Sequence, residues 1–239
     1  AVRLDMLAQQ ERISILSSFF RDASHEFKTP LSIINTSIYI LGKTEDKLTR
    51  QQHSNLIQQQ VRDISDLVET LVLMSRLDSR TELTFSPLNI NSIMRQTYVS
   101  TCDSYPHREH DIQLILDDEL PLILGHANYI LQAIGNLVDN AMRYSNLGDA
   151  VYLRTYHNNA YVVVEIEDEG IGIPNNKLSE IFKRFYRGDE AHSTRGFGLG
   201  LPIAQRIAQR HGGEVTVESV YDHGSVFRMV FPKIKVLSE

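Results

Sequence analysis

The sequence predicts two domains of different class, a long helical hairpin followed by a mixed α/β or α+β domain, and three observations predict it. Residues 4 to about 79 contain no glycine except Gly42 and no proline except Pro30, and their apolar residues recur at helical spacing. That pattern breaks at Ser79 to Pro87, after which strand-like and helix-like runs alternate. The length of 239 residues and 42% hydrophobic content suffice for one or two packed cores. The boundary is expected near residue 83, giving domains 1–82 and 83–239.

In the first helix Leu16, Phe20, Ala23, Phe27, Pro30, Ile34, Ile38 and Leu41 form the expected seam. In the second, Ile57, Val61, Ile64, Val68 and Leu71 do the same, and Gly42 with the polar run 43–50 turns the chain between them. A hairpin buries one stripe per helix, so stripes this long call for more partners, and dimerisation into a four-helix bundle supplies them. In the second domain Asn91 is placed to cap a helix running through Tyr105, and 111–116 reads as a strand. Residues 126–144 carry a helical pattern, and 150–156 with 160–167 read as a hairpin turned through Asn158 and Asn159. A helix over 199–211 is stopped by Gly212 and Gly213, and strands at 214–220 and 225–231 close the chain.

Thirty acidic against 24 basic residues give a net charge of -6, which argues against a nucleic-acid-tracking surface. The single cysteine, Cys102, cannot form an internal disulfide; it reads as a helix or core residue and fits a reducing, cytoplasmic compartment. No window approaches the roughly 18 unbroken apolar residues of a membrane span, and the N-terminus has no signal-peptide core. The chain opens inside a helix-like pattern, so a piece of a longer protein is expected, with a sensor or membrane segment upstream.

Two constellations carry chemistry. On a helical wheel His25 lies nearly opposite Phe20, Ala23 and Phe27, with Glu26 beside it and Thr29 one turn on. Taken alone, these three residues read as a solvated helix face. Pro30 adds weight to the site, because inside a helix it removes a hydrogen bond and crowds the Glu26 carbonyl at a cost of roughly 3 kcal/mol, predicting a kink beside His25. An imidazole is available as a neutral nucleophile near pH 7, and a carboxylate holding one ring N–H leaves the other nitrogen to attack.

The second constellation is dispersed. Asn136 and Asn140 project together from one helix, with Asp139, Arg143 and Tyr144 nearby; two amides can give oxygen to a hard cation and N–H to phosphate. In DEGIGIP (168–174), Gly170 and Gly172 let the backbone turn closely, and Asp168 offers a fixed acceptor for an exocyclic amine. Gly196, Gly198 and Gly200 precede a helix, an arrangement suited to phosphate that, taken alone, reads first as a structural turn. It is neither a Walker A sequence nor a Rossmann fingerprint. His107 and His110 have a metal-compatible spacing but read as a solvated loop.

Five runs in this order resemble the motifs of sensor histidine kinases: DASHEFKTPL (22–31) the H box, NLVDNAMRYS (136–145) the N box, DEGIGIP the first glycine box, IFKRFYRGD (181–189) the F box and GFGLGL (196–201) the second glycine box. The resemblance covers nearly the whole chain. It implies a dimerisation and phosphotransfer domain, then an α/β sandwich that binds ATP, of the gyrase, chaperone and histidine kinase type. It further implies that His25 accepts the γ-phosphoryl group with help from Glu26, that Asn136 and Asn140 bind Mg2+ and phosphate, and that Arg143 sits by the phosphates. Tyr144 would pack by the adenine and Asp168 would read its amine, with Gly170, Gly172, Gly196, Gly198 and Gly200 shaping the loops. Phe182 and Phe185 would position a lid, and Arg184 or Arg187 would reach toward phosphate. The implied partner is a response-regulator receiver domain docking beside His25, with Ser32, Asn35 and Ser75 as candidate contacts. Glu26 and Thr29 also match an E-x-x-T phosphatase pattern. Phe197 stands where the family has a small or hydroxylated residue, and 188–195 is short for an ATP lid. The rival readings are a conformational-clamp ATPase, which needs no phosphoacceptor, and a degenerate dimeric scaffold, which needs no intact nucleotide motifs.

Overall fold

A computed structural model describes residues 2–79, 83–108, 111–188 and 196–234, with the backbone alone for 2–18. The chain forms two compact units, 1–76 and 77–239.

The first unit is the expected helical hairpin. Helix α1 spans Val2–Leu41, unbroken through Pro30, and α2 spans Lys47–Asp78. The turn is closed by side chains: Arg50 Nη1 donates to the Leu41 carbonyl at 2.8 Å, and the Asp46 carboxylate accepts from the Thr49 N–H at 2.8 Å, capping α2. Ser37, buried, meets His53 Nδ1 at 3.1 Å across the hairpin. Within one hairpin only part of the expected seam is covered. Ala23 and Pro30 are buried, but Phe20 is 65% and Ile38 55% exposed, as are much of Val61 and Val68. The buried positions of α2 are instead Leu67, Leu73, Met74 and Leu77. The apolar residues cover more of each helix than one neighbour can, so part of the seam lies open on a single chain. Leu16 lies where only the backbone is described.

The second unit is a two-layer sandwich. Its elements are β1 Ser86–Leu88, α3 Ile90–Ser104, β2 Ile112–Ile115, β3 Ile123–Gly125, α4 Ala127–Tyr144, β4 Val151–His157, β5 Tyr161–Asp168, α5 Gly200–Arg210, β6 Glu214–Val220 and β7 Gly224–Pro232. The five-stranded sheet has the order β2-β4-β5-β7-β6, with β2 parallel to β4 and the rest antiparallel. A separate ribbon pairs β1 with β3, two strands that the sequence reading did not separate from loop because each is three residues long. Helices α3, α4 and α5 cover one face. There Ile130, Ile134, Leu137 and Val138 of α4 are fully buried, as are Leu153, Val164, Ile166 and Met229 of the strands. The opposite face carries charge: Arg154, Glu165, Glu167, Arg228 and Glu218 pair across four strands.

The cap of α3 is Asn89, not Asn91: the Asn89 side chain accepts from the Asn91 N–H at 2.9 Å. Asn91 is buried and joins helix to sheet, donating to the Asp117 carbonyl and accepting from Thr155 Oγ1, both at 2.7 Å. The hairpin β4–β5 turns where expected, with Asn158 Oδ1 accepting from the N–H groups of Ala160 and Tyr161. At the start of α4 the buried His211 donates from Nδ1 to the Ile207 carbonyl and accepts at Nε2 from the His126 N–H. Burial pushes its pKa down and keeps the ring in that neutral form.

Candidate active site

The first constellation sits on an exposed helix face. His25 and Thr29 are exposed and Glu26 is half-buried, while Ala23 and Pro30 turn inward. The helical rise places Thr29 one turn beyond His25 on the same surface. Among the described residues His25 and Thr29 have no hydrogen-bond partner, so a ring nitrogen and a hydroxyl are presented to solvent. Pro30 brings no N–H to the Glu26 carbonyl, so the backbone is one hydrogen bond short beside the histidine.

The second constellation is assembled by α4 and three turns that converge on it. Asn136 Nδ2 donates to the Gly200 carbonyl at 3.2 Å, which joins this helix to the start of α5 and fixes which way the amide faces. Asn140, one turn on and half-buried, has no hydrogen-bond partner among the described residues. Arg143 pairs with Asp139 at 2.8 Å. At the end of α4 the Tyr144 carbonyl accepts from the Ile171 N–H, and a Cβ at Gly170 would run into that same carbonyl. Glycine at 170 is therefore required for the two backbones to meet.

Asp168 ends β5 at 5% exposure, with Oδ1 accepting from the Gly170 N–H at 3.0 Å. Burial raises its pKa to about 6, opposed by hydrogen bonds from the backbone of Gly170 and Ser225. A carboxylate this buried and this fixed suits a directional acceptor. Gly172 has φ +63, and the turn it makes lies against the Val220 carbonyl.

The third turn carries Gly196, Gly198 and Gly200. Gly200 is the first residue of α5, with Leu199 at its cap position. Gly198 has φ +67, and a Cβ there would come 2.5 Å from the Tyr186 carbonyl oxygen. The Phe185 N–H donates to the Gly198 carbonyl at 3.0 Å, with Phe185 itself at φ 61, so loop and aromatic segment pack backbone to backbone. Phe182, Arg187, Gly188 and Phe197 are half-buried. Arg184 pairs with Asp78 at 2.6 Å within the second unit. Residues 189–195, most of the segment read as a short lid, lie outside the described residues, as does His110. Among the described residues no three His, Cys, Asp or Glu side chains gather as metal ligands.

The donor set fits the groups the sequence implies. Two amide oxygens on one helix face suit a hard cation such as Mg2+, which commonly takes one or two protein oxygens and completes its shell with phosphate and water. The buried Asp168 suits an amine donor, and the glycine loop leaves backbone close to any phosphate. Two residues escaped the sequence reading. Arg108 donates to the carbonyls of Met142, Ser145 and Asn146, capping the end of α4, and Tyr105 donates to Asp139 at 2.8 Å. Both act across 34 residues or more, and nothing local in the sequence signals either pairing.

Comparison with known proteins matches both units. Residues 15–80 match the His Kinase A (phospho-acceptor) domain, and 125–235 match the histidine kinase-, DNA gyrase B-, and HSP90-like ATPase family. The signal transduction histidine-protein kinase ArlS of Staphylococcus haemolyticus is 32% identical over 95% of the chain and 51% of its own length. The sensor protein kinase PmrB of Pseudomonas aeruginosa is 32% identical over 81% of the chain and 40% of its own. The chain thus spans about half the length, or less, of these relatives. Among solved structures, histidine kinase ThkA in complex with the response regulator protein TrrA superposes with a TM-score of 0.74 at 25% identity, covering 94% of this chain and 64% of that one. In fold the chain is also similar to the Acinetobacter baumannii histidine kinase AdeS, TM-score 0.69.

Proposed function

The chain belongs to the sensor histidine kinases of two-component systems, and from that membership we propose that it phosphorylates itself on His25 from ATP and passes the phosphoryl group to an aspartate of a response-regulator receiver domain. The observation that carries this reading is the exposed, unpartnered His25 with Glu26 beside it, on a chain whose other unit brings two amides, a buried aspartate and a glycine loop together. A ring nitrogen of His25 attacks the γ-phosphorus, the bond to the bridging oxygen breaks, and ADP leaves. Glu26 orients the ring and takes its proton. Asn136 and Asn140 would hold Mg2+, which neutralises phosphate charge when bound. Asp168 accepts from the adenine amine, Tyr144 packs by the ring, Arg143 faces the phosphates, and Arg187 or Arg184 is the second cation for them. Such transfer demands placement and charge neutralisation more than covalent help from the protein.

Nucleotide and acceptor belong to different units, so transfer requires the units to meet. A boundary near residue 83, with the hinge ahead of β1, would serve this. The exposed stripe of Phe20, Ile38, Val61 and Val68 supports a homodimer. Ser32, Asn35 and Ser75, all exposed, would contact the receiver domain, and Thr29 would orient water against the phosphorylated partner. Since the relatives are about twice as long, a sensory segment upstream is part of the proposal. No described helix is long and apolar enough to cross a membrane.

The test is incubation with γ-labelled ATP and magnesium, beside His25→Gln. Label that is acid-labile, alkali-stable and absent from the variant is expected. Nucleotide binding without label would return the chain to a clamp or scaffold.

A further inference from the structure

The cation at the end of α4 is not held by its own helix alone. Asp139 and Arg143 are one turn apart and pair through Arg143 Nη2 and Asp139 Oδ2 at 2.8 Å. The other carboxylate oxygen, Oδ1, accepts from the hydroxyl of Tyr105, also at 2.8 Å. Tyr105 closes α3, so one helix fixes the charge pair of another. Burial and the neighbouring Asp139 raise the tyrosine pKa to about 12, so it remains a donor throughout the neutral range. On its far side Arg143 meets the glycine loop, where a Cβ at Gly196 would come 2.5 Å from Nη1.

We propose that Tyr105 and Asp139 are positioning residues for nucleotide phosphate: Tyr105 occupies one oxygen of Asp139 so that Arg143 is held by the other and keeps its second nitrogen at the loop. The inference rests on reading this unit as a nucleotide site. Without the tyrosine hydroxyl both carboxylate oxygens are open to the guanidinium, and a carboxylate that grips an arginine with two parallel bonds draws it from the loop. The bare hydrogen bond is of a size that shifts affinity by about tenfold. A tyrosine that merely joined α3 to α4 would instead affect every ligand of the unit equally.

The experiment measures binding of ATP and of adenosine to the whole chain for wild type, Tyr105→Phe, Arg143→Ala and the double variant. Tyr105→Phe is expected to weaken ATP by about tenfold while leaving adenosine within about twofold, and to have no further effect on the Arg143→Ala background. Equal loss of ATP and adenosine, or an undiminished loss in the double variant, overturns the relay while the nucleotide reading stands. Wild type that binds neither ligand overturns both.

Discussion

The two halves of the candidate site are built on opposite terms. In the hairpin, His25 and Thr29 stand on a solvated face, their side chains without hydrogen-bond partners among the described residues, and the helix beneath them would form with almost any polar residues in their place. In the sandwich, Asp168 is 5% exposed, and Gly170 and Gly198 sit where a neighbouring backbone leaves no room for a Cβ. On the proposed reading the histidine meets two different partners, a nucleotide and a receiver domain, and so needs access more than enclosure. A ligand site that fixes a base and its phosphates needs enclosure. Function and stability should therefore be separable in the first unit and entangled in the second.

The largest break of that contrast comes from Gly198→Ala. The position combines a left-handed backbone with a Cβ that would press on the Tyr186 carbonyl and the Phe185 backbone, and neither contact is a flexible side-chain end. A loss of about 3 kcal/mol is expected, confined to the second unit, together with loss of nucleotide binding. Calorimetry reads both units at once: the sandwich transition should fall while the helical one stays. A shift of the helical transition instead would show that the halves are not independent.

Asp168→Asn sharpens the contrast by reversing the sign. A folded-state pKa near 6, above the ordinary 3.8, means that folding disfavours the ionised form. The carboxyl costs nothing below about pH 4, and the cost grows until pH passes about 6. At pH 7 the variant should therefore be more stable by about 1 to 3 kcal/mol, with the gain vanishing near pH 4, while ATP binding is lost. Wild-type ATP affinity should decline as pH falls below about 6. A variant no more stable at pH 7 would mean that the carboxylate is better satisfied than its burial implies.

The same contrast explains what was legible in the sequence. The helices and longer strands of the sandwich and the β4–β5 turn carry local signals, so their placement came within one or two residues, whereas the three-residue β1 and β3 were missed and α2 starts at Lys47, inside the run 43–50 read as turn. The exposed histidine was equally readable, since helical spacing alone puts it opposite Ala23. Which part of the apolar seam the hairpin itself covers was not readable: Ala23 is buried within one chain, while Phe20 and Ile38 stay open on it. Asn89 and Asn91 present identical chemistry two positions apart, and only the distant Thr155 and Asp117 decide that the second is taken into the core. Tyr105 and Arg108 were invisible for the same reason. Motif spacing records what a helix does along itself and nothing of what arrives from another element.

The smallest effects on stability are expected on the hairpin, where they isolate chemistry. His25→Gln should leave stability within about 0.5 kcal/mol and abolish labelling. Thr29→Ala is the finer instrument. Alanine is the better helix former and Thr29 is exposed, so the helix should be unchanged or firmer by a few tenths of a kcal/mol. The proposed autophosphorylation asks nothing of the Thr29 hydroxyl, so the labelling rate should stay within about twofold on the same argument from an undisturbed surface. Hydrolysis of a phosphorylated receiver domain needs a water held in line with the aspartyl phosphate, and on the proposed reading the Thr29 hydroxyl, one turn from His25, would hold it. Dephosphorylation should fall by about tenfold, the scale of one lost hydrogen bond to that water. If labelling and dephosphorylation fall together, Thr29 serves the helix or the docking of the partner; if neither falls, the water is held elsewhere and the E-x-x-T spacing is a solvated face.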